Sequence, residues 1–248
     1  MPTKNGSVCS KFMKVSIKEN SRCYFSKIQQ HLLCELAEIR LISDDFFLTG
    51  GTALSVFYLH HRASEDLDFF TIGHVDLARI SETLSRIYQQ NLRLLQSSTS
   101  FLSYLINNVK VDFVIDPLSE TKRPYHHTLK NGKTLLIDLI DNISSNKLTA
   151  MVSRFELKDL IDFYFISKTY WNHSEKLFLE CFNKARKKEV LLDDPAAAAY
   201  QLEQSLSFAM SKKDTLAPVM RKHIEWADLE SVIKNYIYTI YKLQQWHD

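Results

Sequence analysis

The chain has 248 residues, 45% of them hydrophobic and 24% charged, which is the composition of an ordinary globular protein. No apolar run reaches the roughly 18 to 20 residues that span a bilayer, and the N-terminal stretch is too polar for a secretory signal. We therefore expect a cytoplasmic protein without membrane contact. The net charge of +2 is too small to indicate a nucleic-acid-binding protein by itself.

Local composition adds two weak signals. The four cysteines lack the CxxC spacing of a structural zinc site, which favours reduced thiols. Basic residues cluster at 184–188, 212–213 and 221–222. These clusters could contact phosphates or form solvated helix faces, and charge alone favours the solvated faces.

Hydrophobic periodicity predicts alternating helices and strands in the first part of the chain. Helices are expected at 26–40, 52–60 and 75–90, and Thr52 is expected to cap the second through its hydroxyl. Asn107-Asn108 is a plausible hairpin turn because Asn tolerates positive φ. Strands are expected at 44–49, 67–71, 92–95, 101–106, 109–115 and 133–139.

The pattern changes after Asp141, where only helices with short breaks are predicted. We therefore expect a loose N-terminal arm at 1–24, a mixed α/β domain at 25–142 and a helical domain at 143–248. The predicted fold class is α/β (α+β).

Two carboxylates stand one residue apart at the start of the second predicted strand. Side chains at i and i+2 of a strand share a face, so Asp66 and Asp68 project together while Leu67 and Phe69 pack inward. Neighbouring carboxylates repel unless a cation neutralises them, and Mg²⁺ is a hard ion suited to that role. A lone Asp-x-Asp is more often an exposed strand end that binds nothing.

Asp112 supplies a third carboxylate inside the apolar strand at 109–115, where an unpaired charge is costly. Three carboxylates could hold two Mg²⁺ ions, with Mn²⁺ as an alternative, as in two-metal phosphoryl transfer. Asp116, before Pro117, is interpreted as a turn residue and left out of the site.

Gly50 and Gly51 precede the helix that begins near Thr52. Glycines let the backbone approach a phosphate closely, and amides at a helix start favour anions. Gly50, Gly51 and Thr52 would then cradle the β- and γ-phosphates of a nucleotide, although Gly-Gly before a helix is more often a simple tight turn.

A later segment places charges along a predicted helix. On a continuous helix Asp159 shares the apolar stripe of Leu148, Val152 and Phe155, so it must be paired or face a site. An adjacent stripe faces either a triphosphate or solvent, and consists of Lys147, Arg154 and Lys158.

Together these residues resemble the AbiEii/AbiGii toxin family of nucleotidyltransferases. The family pattern Gly-Gly-[Ser/Thr]-Ala-Leu and then His-Arg-x-Ser-x-Asp-Leu-Asp-Phe-[Phe/Tyr] is met at 50–54 and 61–70, including Ser64 as a supporting residue. Thr52 stands where Ser is common in the wider superfamily, which preserves the hydroxyl. The later pattern is met by Lys147, Arg154, Lys158-Asp159 and Asp162. The resemblance covers roughly residues 26–170.

The resemblance implies a minimal nucleotidyltransferase fold, a polymerase-β-like mixed sheet, followed by helices. It implies Mg²⁺-dependent transfer of a nucleoside monophosphate from an NTP to an acceptor hydroxyl by a growth-inhibiting toxin of a bacterial toxin–antitoxin, abortive-infection system. The tRNA acceptor end is a candidate acceptor, and a separate antitoxin protein is the expected partner. Lys147 would contact the triphosphate and Asp159 would position the cations.

Two alternatives stay open: a small-molecule nucleotidyltransferase of the antibiotic-modifying kind, and a catalytically silent interaction protein on the same fold.

The paired histidines His60-His61 and His126-His127 are expected at the surface, because neighbouring histidines point apart and make poor metal ligands.

Overall fold

A computed structural model describes residues 17–119 and 124–244. Residues 1–16 of the predicted arm lie outside this range. Residues Ser21–Cys23 form a short 3₁₀-helix, and Cys23 is buried against the rest of the chain. None of the described helices is long and apolar enough to cross a membrane.

Seven strands form one mixed sheet in the order β3-β4-β5-β2-β1-β7-β6. The pairs β2/β5 and β1/β7 are parallel, and the other neighbours are antiparallel. The expected mixed α/β class is therefore confirmed. The strands are β1 (Phe47–Thr49), β2 (Leu67–Thr71), β3 (Leu92–Ser97), β4 (Phe101–Ile106), β5 (Val109–Ile115), β6 (Tyr125–Thr128) and β7 (Thr134–Ile137).

Local sequence accounts for much of this sheet. The β4–β5 hairpin turns at Asn107-Asn108, whose φ angles of 50° and 64° are those of the expected tight turn. One face of the sheet is apolar, and there Phe69 stacks on Phe113 at a centroid distance of 5.5 Å. The opposite face carries the acidic residues.

The helices flank and follow the sheet. In chain order they are α1 (Lys27–Leu36), α2 (Arg40–Ser43), α3 (Gly50–Ala53), α4 (Leu77–Tyr88), α5 (Ile140–Ser153), α6 (Leu157–Ile166), α7 (Glu175–Arg186), α8 (Pro195–Ser211) and α9 (Trp226–Gln244). A π-helix at Leu54–Leu59 continues α3, and another at Ser167–Trp171 continues α6. Helix α5 crosses the expected domain boundary near residue 142, and the division into domains stays a prediction.

Two helix predictions are wrong in detail. Helix α3 begins at Gly50 with Thr49 as its N-cap, so Thr52 lies within the helix and does not cap it. The expected continuous helix through 147–159 breaks where Arg154 and Glu156 adopt extended backbone conformations. Because of this break Phe155 is 39% exposed and does not join the apolar stripe.

Candidate active site

Sheet register places the acidic residues side by side. Asp68 on β2 is the Cα partner of Asp112 on the parallel strand β5, and Thr49 of β1 is opposite Asp68 on the other side. Parallel neighbours lie about 4.8 Å apart, so the side chains of Asp68 and Asp112 share one face. Asp66 lies one residue before β2 and alternates onto that face. The sheet thus brings together the three carboxylates expected from the sequence.

These carboxylates repel each other. Partial burial and the nearby charges of Asp66 and Asp112 raise the pKa of Asp68 to about 6. Asp112 is 7% exposed, and it accepts hydrogen bonds from Ser103 Oγ and Lys110 Nζ, each at 2.6 Å. Burial alone would lower the pKa of Lys110, but its bond to Asp112 raises it. The cluster therefore favours a cation beside it.

The donor set fits a hard divalent cation by its chemistry and by its shared sheet face. As the described residues stand, however, no three His, Cys, Asp or Glu side chains are close enough together to hold a metal ion. Lys110 Nζ already pairs with Asp112 Oδ2 at 2.6 Å. A divalent cation would have to draw the carboxylates inward and compete with Lys110 for Asp112.

The glycine turn lies directly against Asp68. Gly50 has φ of +68°, and a Cβ at this position would lie 2.1 Å from Asp68 Oδ2. At Gly51 a Cβ would lie 2.7 Å from Ser64 Oγ and 2.8 Å from Arg62 Nη2. Both positions therefore require glycine for close approach, whether or not the turn also cradles phosphates.

We expect Gly50→Ala to destabilise the protein by at least about 1 kcal/mol more than Gly132→Ala. Both glycines have positive φ, but a Cβ at Gly132 meets nothing within 4 Å, so this control isolates the clash with Asp68. The free energy of unfolding in urea measures the difference. Equal effects of the two substitutions would contradict the packing argument.

Thr52 differs from the expectation of a phosphate contact. Its side chain is fully buried, and its hydroxyl donates to the carbonyl oxygen of Asp66. Gln29 Nε2 donates to the carbonyls of Ser64 and Glu65 at 2.9 and 2.8 Å. These bonds hold the backbone that carries Asp66, so the Thr52 hydroxyl positions a carboxylate and is not directed at a ligand.

A buried ion network anchors the other wall of the site. Asp162, fully buried on α6, accepts from Arg62 Nε and Nη2, both at 2.7 Å, and pairs with Lys147 Nζ at 2.6 Å. Asp159 also accepts from Lys147 Nζ at 2.7 Å and from Arg154 Nε at 2.8 Å. Asp159 therefore holds Lys147 and Arg154 together, across the helix break.

The network perturbs its members in the expected directions. Burial would raise the pKa of Asp162, but Arg62 and Lys147 hold it well below its usual range. Burial would likewise lower the pKa of Lys147, yet Asp162 and Asp159 raise it. Both carboxylates and the ammonium are therefore charged at neutral pH. Lys158, in contrast, pairs with Glu156 at 3.0 Å near the surface.

His61 belongs to this network, and its predicted surface position is wrong. The residue is fully buried, and its Nε2 lies 2.7 Å from Asp162 Oδ1. Its Nδ1 has no hydrogen-bond partner among the described residues, so a proton there would be buried and unpaired. Burial outweighs the attraction of Asp162 and lowers the pKa of His61 to about 4.

We expect the free energy of unfolding to fall between pH 6.5 and pH 4 because of His61. The unfolded chain takes up a proton near the ordinary pKa of 6.5, whereas folded His61 stays neutral down to about pH 4. This difference corresponds to about 3 kcal/mol across the window. His61→Gln keeps a donor for Asp162 but does not titrate, so urea unfolding at pH 7, 6 and 5 should give a flatter dependence. Parallel curves for the two proteins would refute this assignment.

Two clefts open beside these residues and share part of their lining: Gly50, Asp68, Lys147 and Arg154. The smaller cleft, of about 190 Å³, contains all three carboxylates together with Lys110, Arg62 and Lys158. The larger cleft, of about 420 Å³, lies against α5 and has apolar walls from Phe70, Leu118 and Ile143.

Several lining residues were not anticipated from the sequence. Leu216 and Val219 line the smaller cleft from a 3₁₀-helix at Lys213–Val219. Val219 O accepts from Ala63 N at 2.7 Å, which fastens this late segment to the motif that carries Asp66. No periodicity marks such a contact, because the partners are about 150 residues apart. Arg62 and Asp162 both belong to the family motifs matched in the sequence, and those motifs were the sequence evidence from which the ion network could have been predicted.

Comparison with known proteins identifies the fold and the family. Residues 31–228 match the family model described as nucleotidyl transferase AbiEii toxin, type IV TA system. Among solved structures, MenT4, a nucleotidyltransferase toxin of Mycobacterium tuberculosis H37Rv, is 17% identical with a TM-score of 0.53, covering 86% of this chain and 82% of that chain. A candidate nucleotidyltransferase from H. pylori is 20% identical with a TM-score of 0.50, covering 90% of this chain and 99% of that one.

A curated protein of Aquifex aeolicus (strain VF5) is 30% identical over 139 residues. The match spans 54% of this chain and 64% of that relative's length, less than two thirds of it. The structural neighbours establish a nucleotidyltransferase-like fold, and the family model covers most of the chain, including every residue of the acidic cluster. The chain therefore belongs to the AbiEii nucleotidyltransferase toxin family.

Proposed function

We propose that this protein transfers a nucleoside monophosphate from an NTP to the terminal hydroxyl of an RNA, with the tRNA 3′ end as the candidate acceptor. The observation that carries the proposal is the register of Asp68 with Asp112, beside Gly50 and next to Asp66. The acceptor oxygen would bond to the α-phosphorus as the α–β phosphoanhydride bond breaks, and pyrophosphate would leave. The acceptor proton would pass to Asp112 and then to water.

Asp66, Asp68 and Asp112 would hold two Mg²⁺ ions, which when bound supply charge neutralisation and activation of the acceptor hydroxyl. The amides of Gly50 and Gly51 would face the β- and γ-phosphates. Lys147 and Arg154 line both clefts, so they are placed to balance phosphate charge. Preorganised cations of this kind stabilise charge that develops on transferring phosphoryl groups.

The size of the cleft that contains the three carboxylates is compatible with a polymer end as acceptor. The cleft with all three carboxylates has a volume of about 190 Å³, below the roughly 300–1,000 Å³ of pockets that enclose a drug-sized molecule. A terminal hydroxyl can enter such a cleft while the rest of the polymer stays outside. The adjoining cleft of about 420 Å³ does lie within that range, so the labelling test has to distinguish an RNA end from a compact acceptor.

The test incubates the protein with each of the four α-³²P-labelled NTPs, Mg²⁺ and total RNA, and resolves the products on a gel. We expect label on RNA from the wild type and none from Asp68→Asn. Label found only on added small-molecule acceptors would favour the antibiotic-type alternative. Absence of transfer to any acceptor with any NTP, with Mg²⁺ or Mn²⁺, would reject the enzyme.

The toxin role is tested separately in cells. Induced wild-type protein should stop growth of a bacterial host, acting in the cytoplasm, and Asp68→Asn should not. Co-expression of the cognate antitoxin should restore growth. Arrest by Asp68→Asn at equal protein levels would show that growth inhibition does not depend on transfer, and would favour a silent interaction protein.

A further inference from the structure

A third cleft extends the site beyond the carboxylates. It has a volume of about 600 Å³ and lies against the C-terminal end of α7, beside the 3₁₀-helix at Val190–Leu192. Leu118 and Lys188 line both this cleft and the larger cleft. The larger cleft in turn shares Asp68 and Lys147 with the smaller cleft. The three clefts therefore follow one another along the surface, from the acidic residues to the end of α7.

The charged side chains of the third cleft are three cations and two carboxylates. Arg186 and Lys187 are exposed at the end of α7, and Lys188 is half-buried next to them. Glu189 already accepts hydrogen bonds from a backbone amide of the following 3₁₀-helix at 3.2 Å and from a hydroxyl at the end of α5 at 2.6 Å. Asp193 pairs with Arg186 at 3.3 Å, but both side chains are largely exposed, so this pair is weak. The cleft therefore presents a net positive charge that an anion can reach.

Lys188 places one positive charge where the larger cleft and the third cleft meet. Its Nζ donates to Asn142 Oδ1 and Asn146 Oδ1, both at 2.6 Å, and to Ser145 Oγ at 3.0 Å. These three acceptors are uncharged side chains of α5, and they fix the position of the ammonium group. A fixed positive charge at this junction favours an anion that passes from one cleft into the other.

Exposed apolar side chains stand among these charges. Leu118 is 53% exposed and Val190 is 80% exposed, and both line the third cleft. Single-stranded nucleic acid presents anionic phosphates next to the flat apolar faces of its bases. It therefore matches both the charge and the apolar surface of this cleft.

We propose that the third cleft binds the phosphodiester backbone of the RNA acceptor, with Arg186 and Lys187 contacting phosphates and the 3′ end directed through the larger cleft towards the carboxylates. This inference rests on the proposed function, because the row of clefts leads to Asp68. The basic residues at 184–188 are then a binding surface and not only a solvated helix face. An acidic protein would match the charge, but it has no terminal hydroxyl to bring to the carboxylates.

Fluorescence anisotropy tests this surface with a 5′-labelled single-stranded RNA of about 12 nucleotides, in EDTA and without NTP. Arg186→Gln combined with Lys187→Gln should weaken binding about tenfold or more at about 0.1 M salt. The slope of log K against log salt should also fall by about 1.4, because each phosphate contact on a single strand contributes about 0.7. Asp193→Asn should act in the opposite direction and tighten binding about two- to fivefold, since it releases Arg186.

Arg79→Gln combined with Arg86→Gln is the matched control, because it removes the same charge from a distant surface. Both arginines are exposed on α4. This helix packs on the face of the sheet opposite Asp112, where Ser81 Oγ lies 2.6 Å from the Tyr104 hydroxyl. The control variant should bind RNA as the wild type does. A peptide nucleic acid of the same sequence keeps the bases without phosphates, and should bind the wild type at least about tenfold more weakly than RNA.

The outcomes distinguish this inference from the proposed function. Weaker binding by the Arg186 and Lys187 variant, together with tighter binding by Asp193→Asn, supports it. RNA binding that is absent, or that these variants leave unchanged, would overturn it whether or not label is transferred to RNA. Poly-glutamate that binds as tightly as RNA and responds to the same variants would assign the surface to an acidic protein instead. RNA binding that depends on Arg186 and Lys187, without label transfer, would refute the transfer and leave RNA binding by this surface in place.

Discussion

Replacing Asp68 with Asn should reduce nucleotide transfer at least about a thousandfold while leaving the folded protein at least as stable as the wild type. The loss follows because Asp68 is the central member of the row that would hold Mg²⁺, and metal contacts contribute several kcal/mol to transfer. The stability follows because Asp66 and Asp112 raise the pKa of Asp68 to about 6, so its charge opposes folding at pH 7. Removing one like charge should stabilise the metal-free protein by about 1 kcal/mol, after allowance for partial exposure.

Two measurements check this prediction. Label transfer to RNA reports the activity, and thermal unfolding in EDTA reports the stability without metal. Asp116→Asn is a suitable control, since Asp116 lines the larger cleft but caps the following turn through Leu118 N at 3.0 Å. A variant of Asp68 that unfolds more easily than the wild type would show that the carboxylate is structural. Retained transfer would remove Asp68 from the catalytic site.

The second large effect is expected at Asp162. Asp162→Asn keeps the shape of the side chain but removes the charge that pairs with Arg62 and Lys147, both nearly fully buried. Removing one partner from a buried ion network costs about 3–5 kcal/mol, because the remaining charge is uncompensated. For a chain of this size we expect Tm to fall by about 10 °C. Transfer should also fall, since Arg62 packs against Gly51.

Glu230→Gln is the matched control for this experiment. Glu230 pairs with Lys234 at 2.6 Å on the exposed face of α9, where an i,i+4 pair contributes about 0.5 kcal/mol or less. Urea and thermal unfolding should therefore show a much larger loss of unfolding free energy and of Tm for Asp162→Asn than for Glu230→Gln. If Asp162→Asn costs no more than Glu230→Gln, the network does not hold the motif in place.

Local sequence patterns were sufficient to predict most of the secondary-structure elements and the family. Alternation predicted β2, β4 and β5, and the turn at Asn107-Asn108 followed from the tolerance of Asn for positive φ. The matched motifs predicted the AbiEii family, which the family model confirms. The helix break at Arg154 was missed, because no proline or glycine marks it in the sequence.

His61 shows the limit of reasoning from neighbours in the chain. A histidine pair on a loop is usually exposed, yet Asp162, 101 residues away, makes a buried position favourable for His61. Thr52 was mispredicted for the same reason. Its hydroxyl donates to the carbonyl oxygen of Asp66 and does not cap its own helix. A local sequence pattern indicates which residues are polar, but it does not indicate which distant group will form hydrogen bonds with them.

The sequence alone therefore identifies the residue types that the proposed reaction needs. These are glycines before a helix, three aspartates at or next to predicted strands, and cations on later helices. Spacing along one strand is enough to place Asp66 and Asp68 on a common face. The register of β2 with β5, the contact of Gly50 with Asp68, and the two clefts on either side of Lys147 depend on segments far apart in the chain. Only packing of the whole chain decides them, because strand pairing and burial of charge are long-range choices that no local period encodes.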